Sequence, residues 1–322
     1  MAEHIGRRVN LGIARESSRG VGVAPTFWMP RTELTFNDRA GKVVSGESHG
    51  HIDDSTDAFV TEKFADGSIG GEVRTDSFGL LLYAMLGSLS TATVSGAQEH
   101  TFTEANTNQH QSLSFVIDDP VSDKMFELCM LNSLTISVVP GEIVTYSADW
   151  MSRNSVTTTQ TATYTSEDRF IGKHVAMKVA ATIAGLSGAS AIPLKSFDIT
   201  FSKNIVRDHE TGTVVVSDIL NQQFGVEGSF SLNFENNTQR ALVLDNTYQA
   251  LELAAINSDV TIGSTNPELT TQLGRVNFSD WDVDQSLDTI STETINFKGM
   301  ADIANSVDIV SSVVLRNETN SY

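Results

Sequence analysis

The sequence predicts a mainly β protein of two tandem domains, each with a helix-like run beside its strands. The length of 322 residues fits two domains of ordinary size. Forty per cent of the residues are apolar and only six are proline, which indicates a folded chain, and the abundant Gly, Ser, Thr and Asn suit turns and strand surfaces. A pattern around Gly67 also returns around Gly228.

The repeated pattern is a strand, a long polar segment, a second strand and a helix-like run. In the first half its landmarks are Thr35-Phe36, Gly67-Ser68-Ile69 and Phe78–Leu86. In the second half they are Thr200-Phe201, Gly228-Ser229-Phe230 and Arg240–Ile256. A different register, with Leu131–Ile136 matched to Leu194–Ile199, stays open. A duplicated β-rich unit is typical of a self-assembling building block.

Residues 1–30 predict an N-terminal arm, because glycines recur and no strand or helix period is sustained before Phe27-Trp28. The arm is locally basic, and its cations are Arg7, Arg8, Arg15 and Arg19. A basic arm would dock on the acidic body of a neighbouring subunit. A frayed terminus without a role is the alternative.

The first domain is predicted to span residues 31–155. Its first strand is Glu33–Phe36, and a polar excursion follows over Asn37–Glu62. Acidic residues cluster in that excursion at Asp53, Asp54 and Asp57. Loops of this length are usually functional or disordered. In a stacked assembly the excursion would contact the next ring.

A short helix is predicted over Phe78–Leu86, with N-cap candidates in Thr75-Asp76-Ser77 and a stop at Gly87. The run is apolar nearly all round, so both of its faces should be covered, one by its own sheet and the other by a neighbouring subunit.

The remaining predicted strands of this domain are Ser68–Val73, Ser112–Ile117, Met125–Val139 and Ile143–Trp150, the last two joined by a Val139-Pro140-Gly141-Glu142 turn.

The polar segment Ser152–Ser166 marks the boundary of a second domain over residues 156–322. A longer, amphipathic helix is predicted there over Thr238–Ile256. The predicted strands of this domain are His174–Ile183, Leu194–Ile205, Gln222–Phe234, Arg275–Val283 and Thr289–Met300.

The formal charge of −19 disfavours ordinary DNA binding, which needs clustered cations. Carboxylates lining a channel would instead repel phosphates and keep DNA from sticking to the wall. On composition alone, a solubilising surface is the simpler interpretation. Met1–Arg19 lacks the apolar stretch of a secretory signal, and no run is long enough to span a bilayer, so a soluble chain made in the cytoplasm is expected.

Candidate chemistry is sparse. His49-Gly50-His51-Ile52-Asp53-Asp54 could ligate zinc, and its order resembles the motif of metallo-β-lactamase-like hydrolases, with Asp54 where they carry His. A solvated acidic loop is the alternative. The single Cys129 lies in an apolar run and indicates a buried hydrophobe. No catalytic residue, cofactor site or metal site is predicted.

Three segments carry a resemblance to a known family: Val23–Pro30 at the end of the arm, Phe64–Val73 leading into Phe78–Gly87, and His100-Thr101-Phe102. Their order is similar to that in the tail tube (major tail) proteins of long-tailed bacteriophages. The similarity runs through most of the chain as an order of strands and helices with a few Gly and aromatic positions.

The resemblance implies two tail-tube-type domains, each a β-sandwich with a flanking α-helix. Their sheets would join around a ring into an inner β-barrel, with rings stacked into a hollow tube that conducts DNA. Most relatives carry one such domain and form hexameric rings, so two per chain imply a trimer with pseudo-six-fold symmetry. Closing the barrel pairs every edge strand.

The expected partners are other copies of the chain, double-stranded DNA in the lumen, and tail-tip, terminator and tape-measure proteins. The expected location is the virion tail. The inter-ring or inter-subunit contact candidates are Arg7, Arg8, Arg15, Arg19, Asp53, Asp54 and Asp57. Two alternatives stay open: a carbohydrate-binding or adhesive β-sandwich, and the tube subunit of a contractile secretion apparatus.

Overall fold

A computed structural model describes residues 3–322, and strands dominate it. The first half contains a nine-residue helix, α1 (Phe78–Leu86). Its strands are β1 (Asn10–Arg15), β2 (Phe27–Met29), β3 (Glu33–Leu34), β4 (Asn37–Ser45), β5 (Asp57–Glu72), β6 (Gly87–Val94), β7 (Ala97–Glu104), β8 (Leu113–Asp118), β9 (Lys124–Val138), β10 (Thr145–Ser152) and β11 (Val156–Thr157).

The second half contains two short helices, α2 (Ile183–Leu186) and α3 (Thr238–Leu244). Its strands are β12 (Val175–Ala180), β13 (Ser196–Ser202), β14 (Val206–Asp208), β15 (Asp218–Leu220), β16 (Gly225–Asn233), β17 (Gln249–Ile256), β18 (Glu268–Asp284), β19 (Thr292–Gly299) and β20 (Val310–Asn317). The mainly β prediction is confirmed.

The same strand order occurs in both halves. Antiparallel neighbours follow the order β3-β5-β10-β9 in the first half and β13-β16-β19-β18 in the second. Gly67 lies opposite Trp150, and Gly228 lies opposite Phe297 at the corresponding place. A one-residue bulge follows in each half, at Asn132 of β9 and at the equivalent position of β18.

The other register suggested by the sequence is wrong. The segments Leu131–Ile136 and Leu194–Ile199 are not equivalent, because β9 is the last strand of the order in its half and β13 is the first strand in its half. The two strands are antiparallel neighbours, with Ile136 opposite Ile199. Their similar alternation arises because both bury the same kind of face against one core. That core is continuous between the halves, and the division at residue 155 stays a prediction.

The N-terminal segment is folded onto its own chain, so the prediction of an arm without a strand is wrong for Asn10–Arg15; Met1 and Ala2 lie outside the described residues. β1 pairs with β2 and β8 and buries Leu11 and Ile13. The buried Glu16 carboxylate accepts hydrogen bonds from the Gly20 and Leu128 backbone amides and from two serine hydroxyls. The sequence did not predict β1, because the strand is short, contains a glycine and is buried on both faces, so polar and apolar residues do not alternate along it.

Helix α1 has the predicted bounds, and Gly87 ends it in the left-handed conformation at φ +84°. Its N-terminus is capped differently from the prediction, because Glu167 accepts hydrogen bonds from the Asp76 and Ser77 amides and from the Ser77 hydroxyl. Every residue of the helix except Tyr83 is buried within the single chain. The expected cover by a neighbouring subunit is therefore not needed.

The predicted helix over Thr238–Ile256 is wrong in its second half. α3 ends at Leu244, Asn246 adopts φ +48°, and the chain continues as β17. β17 lies between β12 and β18 and is buried on both faces. A short run buried on both faces has no period that separates strand from helix.

The predicted excursion over Asn37–Glu62 is largely a β-hairpin, since β4 pairs with β5 and only residues 46–56 are irregular. The Pro140-Gly141 turn is confirmed, with Gly141 at φ +83° and the Glu142 amide bonded to the Val139 carbonyl.

Most of the other predicted strands are present within a few residues, but β5 begins at Asp57 rather than Ser68 and β18 at Glu268 rather than Arg275. The strands that were not predicted are β1, β2, β4, β6, β7, β11, β14, β15, β17 and β20. Cys129 is buried, as predicted.

Candidate assembly surfaces

Within the sheet of repeated strands, the two halves meet at one pair of strands, β9 and β13, which we call the junction. The halves also pair outside that sheet, along β7 and β20. The core side of the junction is apolar and fully buried, with Ile136 and Ile199 in register. On the other side, Thr135 bonds to Thr200 across the strands at 2.8 Å, and the Ser137 hydroxyl donates to the Asp198 carboxylate at 2.5 Å. The junction joins the repeated strands into one antiparallel sheet in the order β3-β5-β10-β9-β13-β16-β19-β18, which we call the joined sheet.

One face of the joined sheet is polar. Along β10, β13 and β19, buried side chains alternate with half-buried or exposed ones, as in a sheet with one wet face. Hydroxyl and carboxylate groups bond across strands on this face, as in Ser133 to Asp149 and Ser231 to Thr294. Lys298 is a cation of this face, and Glu227 neutralises it at 2.7 Å.

The joined sheet has two free edges among residues 3–322. At one end, β3 and β4 pair only with β5. At the other end, residues 277–284 of β18 pair only with β19. Exposed strand edges are templates for pairing with another chain, so these edges are candidate subunit contacts.

The hairpin of β4 and β5 extends from the body of the chain. Val43, Val44 and Phe59 are more than half exposed on it, which is unusual for large apolar side chains of a soluble surface. Its base is fixed by the second half, because Arg207 lies over the Phe64 ring at 3.8 Å and bonds to Glu62 at 2.6 Å.

The sequence-predicted contact residues lie in two places. Asp53 and Asp54 lie in the exposed irregular tip of the hairpin, and Asp57 begins β5. Arg7 and Arg8 are exposed before β1.

The other two predicted arginines bond within the chain. Arg15 donates to the Tyr322 carbonyl at 2.8 Å, and Arg19 pairs with Asp218 at 2.7 Å.

The histidine-rich string lies in the same hairpin tip. His49 and His51 are exposed, and among residues 3–322 no group of three or more His, Cys, Asp or Glu side chains is placed to hold a metal ion. No helix in the described part of the chain is long and apolar enough to cross a membrane.

Sequence reasoning missed two ionisable groups, the buried Lys203 and the half-buried Glu104. Lys203 is fully buried, donates to the Ala84 carbonyl at 2.7 Å, and has its pKa lowered to about 7 by burial and by Arg19. Burial, followed by the charge of Asp308, raises the pKa of Glu104 to about 7. Lys203 bonds to a carbonyl of helix α1, and Glu104 lies near the Asp308 charge, so we interpret both as groups that affect stability. Neither has a sequence signal, since their neighbours come from distant segments.

Comparisons with known proteins identify the family. The family model described as phage tail tube protein matches residues 6–309. Among solved structures, the chain is similar to the SPP1 tail tube, determined by solid-state NMR and cryo-electron microscopy, at 8% identity and a TM-score of 0.33, over 47% of this chain and 81% of that one. No curated protein matches the chain in sequence. The chain therefore belongs to the phage tail tube protein family, as a non-catalytic structural subunit of the virion tail.

Proposed function

We propose that three chains close a ring of pseudo-six-fold symmetry, and that rings stack into the hollow tail tube. The single observation that carries this proposal is the repeated strand order of the joined sheet, in which one junction connects the first repeat to the second. The junction already joins one repeat to the next, and the two free edges allow the same step between chains. The division into two tandem tube domains, with a boundary near residue 155, is part of this proposal.

The polar face of the joined sheet lines the lumen in this arrangement. It is rich in hydroxyl and carboxylate groups such as Ser147, Asp149 and Thr294, and its Lys298 is neutralised by Glu227. A wall of this kind repels phosphates and offers no cluster of cations for counterion release, so double-stranded DNA passes without sticking. Sequence-specific binding is not expected.

The hairpin of β4 and β5 is the stacking element. Its exposed apolar side chains gain burial against a neighbouring ring, and its acidic residues Asp53, Asp54 and Asp57 seat against cations there. Arg7 and Arg8 are the candidate partners on the neighbouring chain, since both are exposed. Arg15 and Arg19 contribute by holding the N-terminal segment in place.

Assembly takes place in the host cytoplasm. The tube encloses a tape-measure protein before DNA enters and ends on tip and terminator proteins. Family membership supports these partners.

The proposal is tested by purifying the chain and following its assembly by sedimentation and electron microscopy. Rings or tubes whose smallest closed unit has the mass of three chains are the expected result. A protein that stays monomeric at high concentration, with no rings in micrographs, contradicts the proposal. Closed units of six chains would mean that the ring contains six chains rather than three, while the proposed tube function would remain.

A further inference from the structure

The two free edges of the joined sheet correspond, strand for strand, to the two strands of the junction. β3 with the start of β4 occupies the place of β13, because each is the neighbour of the glycine-bearing strand of its half. The last part of β18 occupies the place of β9, because each carries the one-residue bulge beside its aromatic partner. The junction is thus an internal example of how these edges fit together.

The register of the equivalent strands can be read residue by residue. In the second half, Asp198 lies opposite Ser229, the residue after Gly228. In the first half, the Thr35 amide bonds to the carbonyl of Ser68, the residue after Gly67, at 2.9 Å. Thr35 is therefore the counterpart of Asp198.

The bulges align the other strand in the same way. Leu131 lies opposite Trp150, and Phe278 lies opposite Phe297. Leu131 and Phe278 therefore occupy corresponding positions. Counting onward from them makes Asp280, Asp282 and Asp284 the counterparts of Ser133, Thr135 and Ser137.

We propose that β18 of one chain pairs antiparallel with β3 and β4 of a second copy in the register of the junction. The cross-strand partners are then Asp284 with Thr35, Asp282 with Asn37, and Asp280 with Arg39. This inference rests on the proposed function, since it specifies the contact that closes the ring.

The chemistry of the two edges supports this register. All six side chains are exposed in the single chain and lie on the polar face. Each carboxylate of β18 meets a group that donates a hydrogen bond, and the pair of Ser137 with Asp198 reappears with the donor and the acceptor exchanged between strands. Arg39 now pairs with Asp66 at 2.9 Å, where both side chains are more than a third exposed, so its guanidinium has donors left for a second carboxylate.

The complementarity also gives an acidic chain a way to associate with itself. The chain has a net charge of −19, so the three carboxylates at the end of β18 are repelled by most of the surface of a second copy. The edge of β3 and β4 offers donors in the matching spacing, so the correct partner edge is attractive and others are not.

Disulfide cross-linking in assembled tubes tests the register. A disulfide requires Cα atoms about 4.4 to 6.8 Å apart, and residues displaced by four positions along a strand are roughly 13 Å apart. We expect Thr35→Cys combined with Asp284→Cys, and Arg39→Cys combined with Asp280→Cys, to give covalent oligomers on a denaturing gel after oxidation. The native Cys129 is buried, so the wild-type chain is the background control.

The matched controls use the same four cysteines in exchanged combinations. Thr35→Cys with Asp280→Cys, and Arg39→Cys with Asp284→Cys, each shift the register by four residues and should not cross-link. If the wild type forms tubes but cross-links appear only in the exchanged variants, or in no variant, the register is wrong. The proposed tube function is then unaffected. Absence of tubes from the wild type contradicts the proposed function itself and removes this inference with it.

A charge exchange decides the question if the cysteine variants do not assemble. Arg39→Glu and Asp280→Lys, each alone, should raise the protein concentration needed for assembly about threefold to tenfold, and the double variant should restore most of the loss. Circular dichroism of the unassembled chains verifies that each variant is folded. A double variant no better than the worse single variant overturns the pairing.

Discussion

The two halves of the chain share the order of their sheet strands but differ in the elements around that sheet. Helix α1 is buried apart from Tyr83, whereas α3 has no buried residue. The hairpin of β4 and β5 is long and exposed at its tip, whereas β14 and β15 form a short hairpin at the base of the long one. Both halves keep the strands of the joined sheet and differ in the elements around it.

The largest contrast is expected between the helices. Leu82→Ala in α1 should lower the free energy of unfolding by about 3 kcal/mol, because it leaves a cavity in a closed core. Leu244→Ala, at an exposed position of α3, should change it by less than about 0.5 kcal/mol. Urea denaturation measures both. Equal losses would mean that α3 packs more tightly than its exposure indicates.

Gly67 and Gly228, the equivalent glycines of the joined sheet, test what the two halves have in common. A Cβ at Gly67 would lie 2.1 Å from the Thr35 carbonyl oxygen, at φ +151°, and a Cβ at Gly228 would lie 2.4 Å from the Asp198 carbonyl oxygen. Gly67→Ala and Gly228→Ala should each cost about 2 to 3 kcal/mol, since backbone must move in both cases. Gly212→Ala, where φ is +94° and no atom lies within 4 Å, controls for the positive φ of Gly67; Gly228 is not among the glycines with positive φ. A large loss of stability in only one of Gly67→Ala and Gly228→Ala would show that the halves are not equivalent at these positions.

A smaller effect is expected at Glu104, at the end of β7. Its pKa, raised from 4.5 to about 7 by burial and then by Asp308, means that its proton is held more tightly in the folded chain. The stability from that proton is complete below about pH 4.5 and is lost as the pH rises through about 7. Glu104→Gln should therefore be more stable than the wild type at pH 8 by about 1 kcal/mol, a value reduced by remaining solvent contact, and close to it at pH 4.

Thermal denaturation at the two pH values measures the effect. The exposed Glu210→Gln serves as control for loss of one negative charge. A gain for Glu104→Gln that is the same at pH 4 and pH 8 would contradict the titration.

The smallest effect concerns the anchoring of the long hairpin. Glu62→Gln weakens the contacts to Arg207 and His209 and should change global stability by under about 1 kcal/mol. It should speed amide hydrogen exchange in residues 57–63. Glu47→Gln, at the exposed tip, should leave this exchange unchanged. Identical exchange in both variants would mean that the second half does not anchor the hairpin.

Sequence reasoning succeeded where one residue type determines the local structure. Gly87 ends α1, and Pro140-Gly141 makes a turn. The alternation of polar and apolar residues predicted most strands of the joined sheet. It failed where burial comes from distant segments: β17 is covered on both faces and was predicted as helix, and the long hairpin was predicted as loop because its strands are exposed.

The candidate surfaces were predictable only in part. The acidic residues of the hairpin tip were evident from composition, whereas the free edges depend on which strands pair. Arg19 illustrates the limit, because its ion pair with Asp218 joins residues far apart in sequence and no local pattern indicates it. The equivalence of Gly67 and Gly228 could be suspected from sequence, but only the strand pairing fixed its register.

The central claim is that one chain contributes two sixths of a ring. Cryo-electron microscopy of assembled tubes viewed in cross-section tests it most directly. The account predicts three-fold symmetry with six similar lobes, in which alternate lobes differ by the length of the hairpin they carry. Six identical lobes, each a whole chain, would contradict it.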